Sequence, residues 1–161
     1  MAHQLLWAPW RMRYVQDDRK DKDCIFCAAA SSADDAERFV LRRGERCFAM
    51  LNTYPYNSGH LMVSPNRHVP SIEDLDRDEL LELMTLTQSA LRAVRAAYRP
   101  DGVNLGVNEG EVAGAGFAGH VHLHVVPRWA ADSNFMAVIG DTRVLPQSLE
   151  DTYATLHERL A

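Results

Sequence analysis

The chain has little cysteine, no long apolar run and no excess of positive charge. Three cysteines in 161 residues, two close together and one alone, cannot make a disulfide framework. Thiols in a reducing compartment fit better, and the expected location is the cytoplasm. No apolar run approaches the ~20 residues of a membrane span. The start has Trp-Pro-Arg character without a signal-peptide apolar core, so no membrane partner is expected. Lysine and arginine number 17 against 22 aspartates and glutamates, a formal charge of −5. A broad nucleic-acid surface is usually basic, so no nucleic-acid polymer is expected as a partner. No internal repeat or low-complexity linker interrupts the chain. Its length suits one compact domain, with 47% hydrophobic and 24% charged residues as in ordinary soluble proteins.

The most informative segment is Gly119-His120-Val121-His122-Leu123-His124-Val125-Val126-Pro127-Arg128. Histidine alternates with Val and Leu, the pattern of a β-strand with two different faces. Side chains at i, i+2 and i+4 share a face, about 6.5–7 Å apart. One face therefore presents three imidazoles while the other buries apolar residues. Seven histidines in 161 residues would produce such a triple by chance about 0.01 times. Three readings compete: a core strand with hydrogen-bonded histidines, a metal site, or phosphoryl and nucleotidyl transfer with one imidazole attacking phosphorus. Upstream, Asn108-Glu109-Gly110-Glu111-Val112-Ala113-Gly114-Ala115-Gly116-Phe117 is rich in small residues. These let backbone N–H groups approach an anion closely. Such a loop four residues before the histidines favours phosphate over a purely metallic site.

Asp23-Cys24-Ile25-Phe26-Cys27 contains a Cys-x-x-Cys. Alone it is half a metal site, a redox pair or two buried thiols.

Residues 1–23 are expected to form an arm, residues 24–130 the core, and residues 131–161 a tail with a helix. Strands are expected over 38–41, 47–52, 60–64, 103–107 and 119–126, the first two joined as a hairpin. Asp76-Arg77-Asp78-Glu79 has capping-box spacing. It opens a long helix with Leu80, Leu83, Met84, Leu91, Val94 and Tyr98 at helical intervals, ended by Pro100-Asp101-Gly102. A last helix is expected over 148–160. The order implies an α+β domain with an antiparallel sheet of about five strands, one long helix and a C-terminal helix.

His120 to Val126 has the form histidine, apolar, histidine, apolar, histidine, apolar, apolar, and resembles the signature of the histidine triad superfamily of nucleotide hydrolases and transferases. Asn52-Thr53-Tyr54-Pro55-Tyr56-Asn57-Ser58-Gly59-His60 resembles the family's upstream strand end and Pro-x-x-x-Gly-His turn. Leu6 to Tyr14, Asn108 to Gly116, Pro127-Arg128-Trp129 and Asp132 to Met136 resemble its diadenosine tetraphosphate phosphorylase branch. The resemblance spans nearly the whole chain as one domain, 1–161. It implies that His122 attacks an α-phosphorus and carries a nucleotidyl adduct, and that His124 donates to a phosphate oxygen. It also implies that backbone amides around Gly114, Ala115 and Gly116, with Asn108, face the phosphates. Asn52 falls where the family binds ribose, and Ile25, Phe26 and Met50 near its base pocket. Cys24 and Cys27 with His68 and His120 would then make a closed structural zinc site. No organic cofactor is implied. Many members carry Gln or Ser just before the triad; here Ala115 and Gly116 leave that work to main chain and leave room for a longer polyphosphate. Arg128 is a further candidate phosphate donor. The resemblance also implies a homodimer, with Trp10, Arg11 and Arg13 able to reach a partner or the polyphosphate. The expected activity is cleavage of a dinucleoside polyphosphate, diadenosine tetraphosphate first. The alternatives are a nucleoside phosphoramidate hydrolase, a catalytic metalloenzyme and a non-catalytic nucleotide sensor.

Overall fold

The structure, a computed structural model, describes residues 24–130, 132 and 146–160. The expected arm, with Trp10, Arg11 and Arg13, and residues 133–145 of the tail lie outside the described residues. Five strands make one antiparallel sheet: β1 (Val40–Arg43), β2 (Cys47–Leu51), β3 (Leu61–Pro65), β4 (Gly102–Val107) and β5 (Leu123–Arg128), in the order β1-β2-β3-β5-β4. Among the described residues three α-helices accompany it: α1 (Ile25–Ser31), α2 (Arg77–Tyr98) and α3 (Leu149–Leu160). This is the α+β architecture expected from the sequence.

The sheet is covered on both faces, and strand alternation sorts the residues between them. Leu41, Ala49, Leu51, Leu61, Val63, Leu123 and Val125 share a buried cluster with Leu83, Leu86, Ala90 and Val94 of α2 and Leu156 and Leu160 of α3. Phe48, Met50 and Met62 cluster instead with Phe26 and Ala29 of α1. Cys47 is fully buried on the α2 side, its thiol against the Glu79 carbonyl. Burial, with the Glu82 and Glu79 carboxylates nearby, pushes that thiol up to about 12.

Two expectations need correction. The triad strand begins at Leu123 rather than Gly119. Val63 pairs Leu123, and the same register would set Pro65 opposite Val121. Proline has no N–H to extend the ladder. Residues 119–122 are held otherwise: the Val121 N–H donates to the Val69 carbonyl, and Ser64 Oγ donates to the Val121 carbonyl. On α2, Leu80 and Met84 are 37% and 47% exposed. The buried face runs Glu79, Leu83, Leu86, Thr87, Ala90, Ala93, Val94, at 3- and 4-residue steps from Leu83, and Leu80 and Met84 lie off it.

The capping box forms as expected: Asp76 accepts from the Glu79 N–H, and Glu79 accepts from the Asp76 N–H. Glu79 has a second role. Its buried carboxylate receives Arg67 Nε and Nη2 at 2.6 Å each, the paired fork that guanidinium favours. Arg99 closes the helix in the left-handed region (φ 47°), with Pro100 after it.

The Arg67 bond, more than offsetting burial, holds Glu79 down at about 2, below its ordinary 4.5. A depressed carboxyl stabilises the fold above its unfolded pKa and stops doing so as pH falls through the folded value. Urea unfolding followed against pH should therefore show stability lost between about pH 4.5 and 2. Glu79→Gln should flatten that loss and cost about 1–3 kcal/mol at pH 7; an unchanged acid limb would remove Glu79 as its source.

Candidate active site and metal cluster

Three elements converge on the histidines. β5 starts at Leu123, β4 ends at Val107 opposite it, and Gly106 pairs His124; Asn108 and His122 are the next residues beyond the last pair. On the other side, Met62 pairs His124, and the turn before β3 delivers His60. That turn depends on Gly59, whose φ is +76° and whose site would set a Cβ 2.8 Å from the Tyr98 ring.

Hydrogen bonds fix where the ring protons sit. His122 Nδ1 lies 2.9 Å from the His120 carbonyl. A carbonyl only accepts, so Nδ1 carries the proton and Nε2 keeps its lone pair. Burial holds the His122 imidazole below its ordinary value, opposed by that carbonyl bond, so the ring is neutral at pH 7. The Tyr56 N–H donates to His60 Nδ1 at 3.0 Å, and His60 Nε2 lies 3.0 Å from His124 Nδ1. In the neutral rings His60 then donates from Nε2, which leaves the His124 proton on Nε2. The His122 and His124 rings lie 4.8 Å apart, nearly perpendicular. A lone pair and an N–H donor thus stand on adjacent imidazoles, the pairing needed to attack phosphorus while donating to one of its oxygens. His60, fully buried, had been given no role from the sequence. Its signal was the Gly-His pair, but the link to His124 depends on β3 lying beside β5.

The third triad histidine turns away. His120 donates from Nε2 to the Pro65 carbonyl at 2.9 Å, leaving Nδ1 directed at Cys24 Sγ (3.3 Å) and Cys27 Sγ (3.6 Å). His68 Nδ1 is 3.2 Å from Cys27 Sγ. One ligand atom from each of Cys24, Cys27, His68 and His120 lies within 4.8 Å of the others. Tetrahedral zinc with Zn–S ≈ 2.3 Å and Zn–N ≈ 2.0 Å needs ligand separations of about 3.3–3.8 Å, so the cluster fits a metal after small adjustments. Burial lowers His120 to about 4, which keeps it in the neutral, ligating form. Burial and Cys24 push the Cys27 thiol up, a cost a bound cation would reverse. Gly119 also packs closely here: a Cβ would sit 3.1 Å from His68 Nε2, so His68 would have to shift by a few tenths of an ångström.

The remaining expected residues are placed as follows. Asn52 is half-buried after β2, its Oδ1 accepting from the Tyr54 N–H and its Nδ2 3.4 Å from the His60 ring nitrogens. Asn108 is half-buried. In the small-residue loop the Gly114 and Ala115 N–H groups close a turn on the Glu111 and Gly110 carbonyls, so Gly116 is the amide of the three not engaged in it. Glu109 ties this loop down by accepting from the Ile72 N–H and Ser71 Oγ. Phe26 is fully buried and stacks on His122, with centroids 4.5 Å apart at 28°. Arg128 does not reach the site. Asp132 and the Asn104 Oδ1 occupy its guanidinium at the far end of β5.

Residues 34–131 match the HIT domain family, and the chain belongs to it. It is similar to the AP-4-A phosphorylase of Mycobacterium tuberculosis, with 44% identity over 156 residues covering 92% of this chain and 80% of that protein. It is also similar to the asymmetrical bis(5'-nucleosyl)-tetraphosphatase of Schizosaccharomyces pombe, 32% identical and covering 76% of this chain and 67% of that one. Among solved structures, the Zn-bound histidine triad family protein from Mycobacterium smegmatis superposes with a TM-score of 0.66. Its identity is 27%, covering 86% of this chain and 93% of that one.

If the four-ligand cluster binds a divalent cation, titrating metal-free protein with zinc should raise Tm. At a hundredfold excess over Kd the gain is about 2.7 kcal/mol. Cys27→Ser and His68→Ala should each remove most of the rise, and Gly119→Ala should weaken it by displacing His68. An equal rise in all four proteins would place the metal elsewhere.

Proposed function

We propose that the chain is an enzyme that cleaves dinucleoside polyphosphates, diadenosine tetraphosphate first, through a nucleotidyl adduct on His122. The observation that carries this is the proton arrangement: a lone pair on His122 Nε2 beside a His124 ring that His60 leaves protonated on Nε2. His122 Nε2 attacks the α-phosphorus; a P–N bond forms, the bond to the bridging oxygen breaks, and ATP departs. His124 donates to a phosphate oxygen. The positive charge that develops on the His122 ring is stabilised by the His120 carbonyl at Nδ1. Phosphate then attacks the adduct to give ADP, or water to give AMP. The similarity to AP-4-A phosphorylase favours phosphate, and that to the tetraphosphatase favours water.

In the same reading Asn108 and the Gly114, Ala115 and Gly116 loop face the phosphates, Asn52 the ribose, and Phe26 closes the base side. The cluster of Cys24, Cys27, His68 and His120 holds zinc. Bound there with four protein ligands, the ion supplies a cross-link and no open coordination position. The chain acts as one domain, in the cytoplasm; no helix among the described residues is long and apolar enough to cross a membrane. It pairs as a homodimer, for which β4 offers a sheet edge that no other strand among the described residues pairs, with Leu105 45% exposed.

Incubating the protein with diadenosine tetraphosphate, with and without inorganic phosphate, should give ADP and ATP only when phosphate is present. AMP and ATP in both buffers would make it a hydrolase. No turnover would move nucleoside phosphoramidates and nucleotide sensing ahead. His122→Ala should lose at least about 10³-fold in kcat while still binding nucleotide. His60→Ala should cost about 10–100-fold in kcat by releasing the His124 tautomer. A His122→Ala protein of full activity would overturn the covalent route.

A further inference from the structure

Phe26 stands between two sites that otherwise share only His120. It is the third residue of Cys24-Ile25-Phe26-Cys27, in the first turn of α1, so both thiols of the cluster flank it in sequence. Its ring stacks on His122 (4.5 Å, 28°), lies 5.1 Å from the His120 ring, and meets the edge of Phe117 at 6.0 Å, just beyond the small-residue loop. The ring is wholly inaccessible to solvent.

The helix that carries it is short. Seven residues are far below the ~12–15 at which an isolated helix becomes marginally stable, and its N-cap, Cys24, makes no side-chain capping bond. Its C-terminal end is tied down by Arg43, which donates to the carbonyls of Ala29, Ala30 and Ser32. Its N-terminal end is held by Phe26 burial and by the approach of Cys24 and Cys27 to His120 and His68. Whether the four ligands are drawn together therefore sets where the first turn of α1 sits, and with it the ring that covers His122.

We infer that Phe26 is a positioning residue that couples occupancy of the Cys24, Cys27, His68 and His120 cluster to the orientation of the His122 imidazole. With the cluster filled, Phe26 is pressed onto His122 and holds the ring in the plane where Nδ1 meets the His120 carbonyl. With the cluster empty, α1 loosens, the stack is lost and His122 samples other rotamers. The cation takes no part in the displacement itself. The inference rests on the reading of His122 as nucleophile only where adduct formation is the readout; the ring geometry can be followed without it.

The test uses the full chain as wild type and Phe26→Leu, each zinc-loaded and zinc-free, with ¹⁵N-labelled histidine. Zinc content and nucleotide affinity are measured first, then the His122 ring resonances, then the single-turnover rate of adduct formation from diadenosine tetraphosphate. Wild type should show one Nδ1–H tautomer of His122 when loaded and an averaged, shifted ring signal when zinc is removed. Its adduct rate should fall about tenfold. Phe26→Leu should still bind one zinc, and because Phe26 also closes the base side, rates are compared at saturating nucleotide so that a change in affinity does not enter them. Its adduct rate should be about tenfold low even when loaded, with His122 signals that no longer respond to zinc. The two losses should not add. Should Phe26→Leu fail to fold, Phe26→Met, whose unbranched side chain adapts to an irregular gap, serves in its place. A variant whose His122 signals still follow zinc as in wild type, or additive losses, would overturn the coupling. Absence of any adduct in loaded wild type would overturn the nucleophile reading, while the ring signals would still decide the coupling.

Discussion

Side-chain alternation along residues 120–125 is the constraint on which the site depends. Val121, Leu123 and Val125 are buried in the cluster shared with α2, so His120, His122 and His124 are turned to the opposite side. A slip of one residue between β3 and β5 would drive three imidazoles into an aliphatic core and bring out the residues that fill it. Buried polar groups without partners are costly, so the hydrophobic core enforces the register of the polar face. The apolar residues between the histidines are part of the site in that sense.

On the polar face, main-chain groups assign the protons. Two carbonyls, of His120 and Pro65, and one N–H, of Tyr56, each leave a ring only one role. The result is three histidines with three different functions available: an atom aimed at the two thiols, a free lone pair, and a donor. Nothing in the chemistry of imidazole distinguishes them. Their neighbours do, and those neighbours are backbone atoms fixed by the strand pairing.

Much of this was legible in the sequence where the cause is local. The capping box at Asp76 and Glu79, the end of α2 ahead of Pro100-Asp101-Gly102 and the two-faced triad all follow from the local sequence. What depends on distant pairing was not legible from the residues alone. His60 meets His124 across 64 positions, because β3 lies next to β5. The Cys-x-x-Cys was half a cluster until His68 and His120 were brought to it, a completion that only the family resemblance had suggested. Arg128 looked available for phosphate because its charge is plain in the sequence, whereas Asp132, which engages it, is an ordinary carboxylate until the chain turns back. Leu80 and Met84 carry the right hydrophobicity but the wrong angle around α2.

The placement of the third cysteine has a practical consequence. Cys47 is wholly enclosed, and its thiol is pushed up to about 12, so almost no thiolate exists at neutral pH and no reagent can reach it in the folded protein. Alkylating agents therefore have only Cys24 and Cys27 to attack, and a bound cation would shield both. The chain carries its own internal gauge: half the number of sulfurs labelled under native conditions gives the molecules with an empty cluster, and the sulfur that labels only after denaturation counts the molecules present.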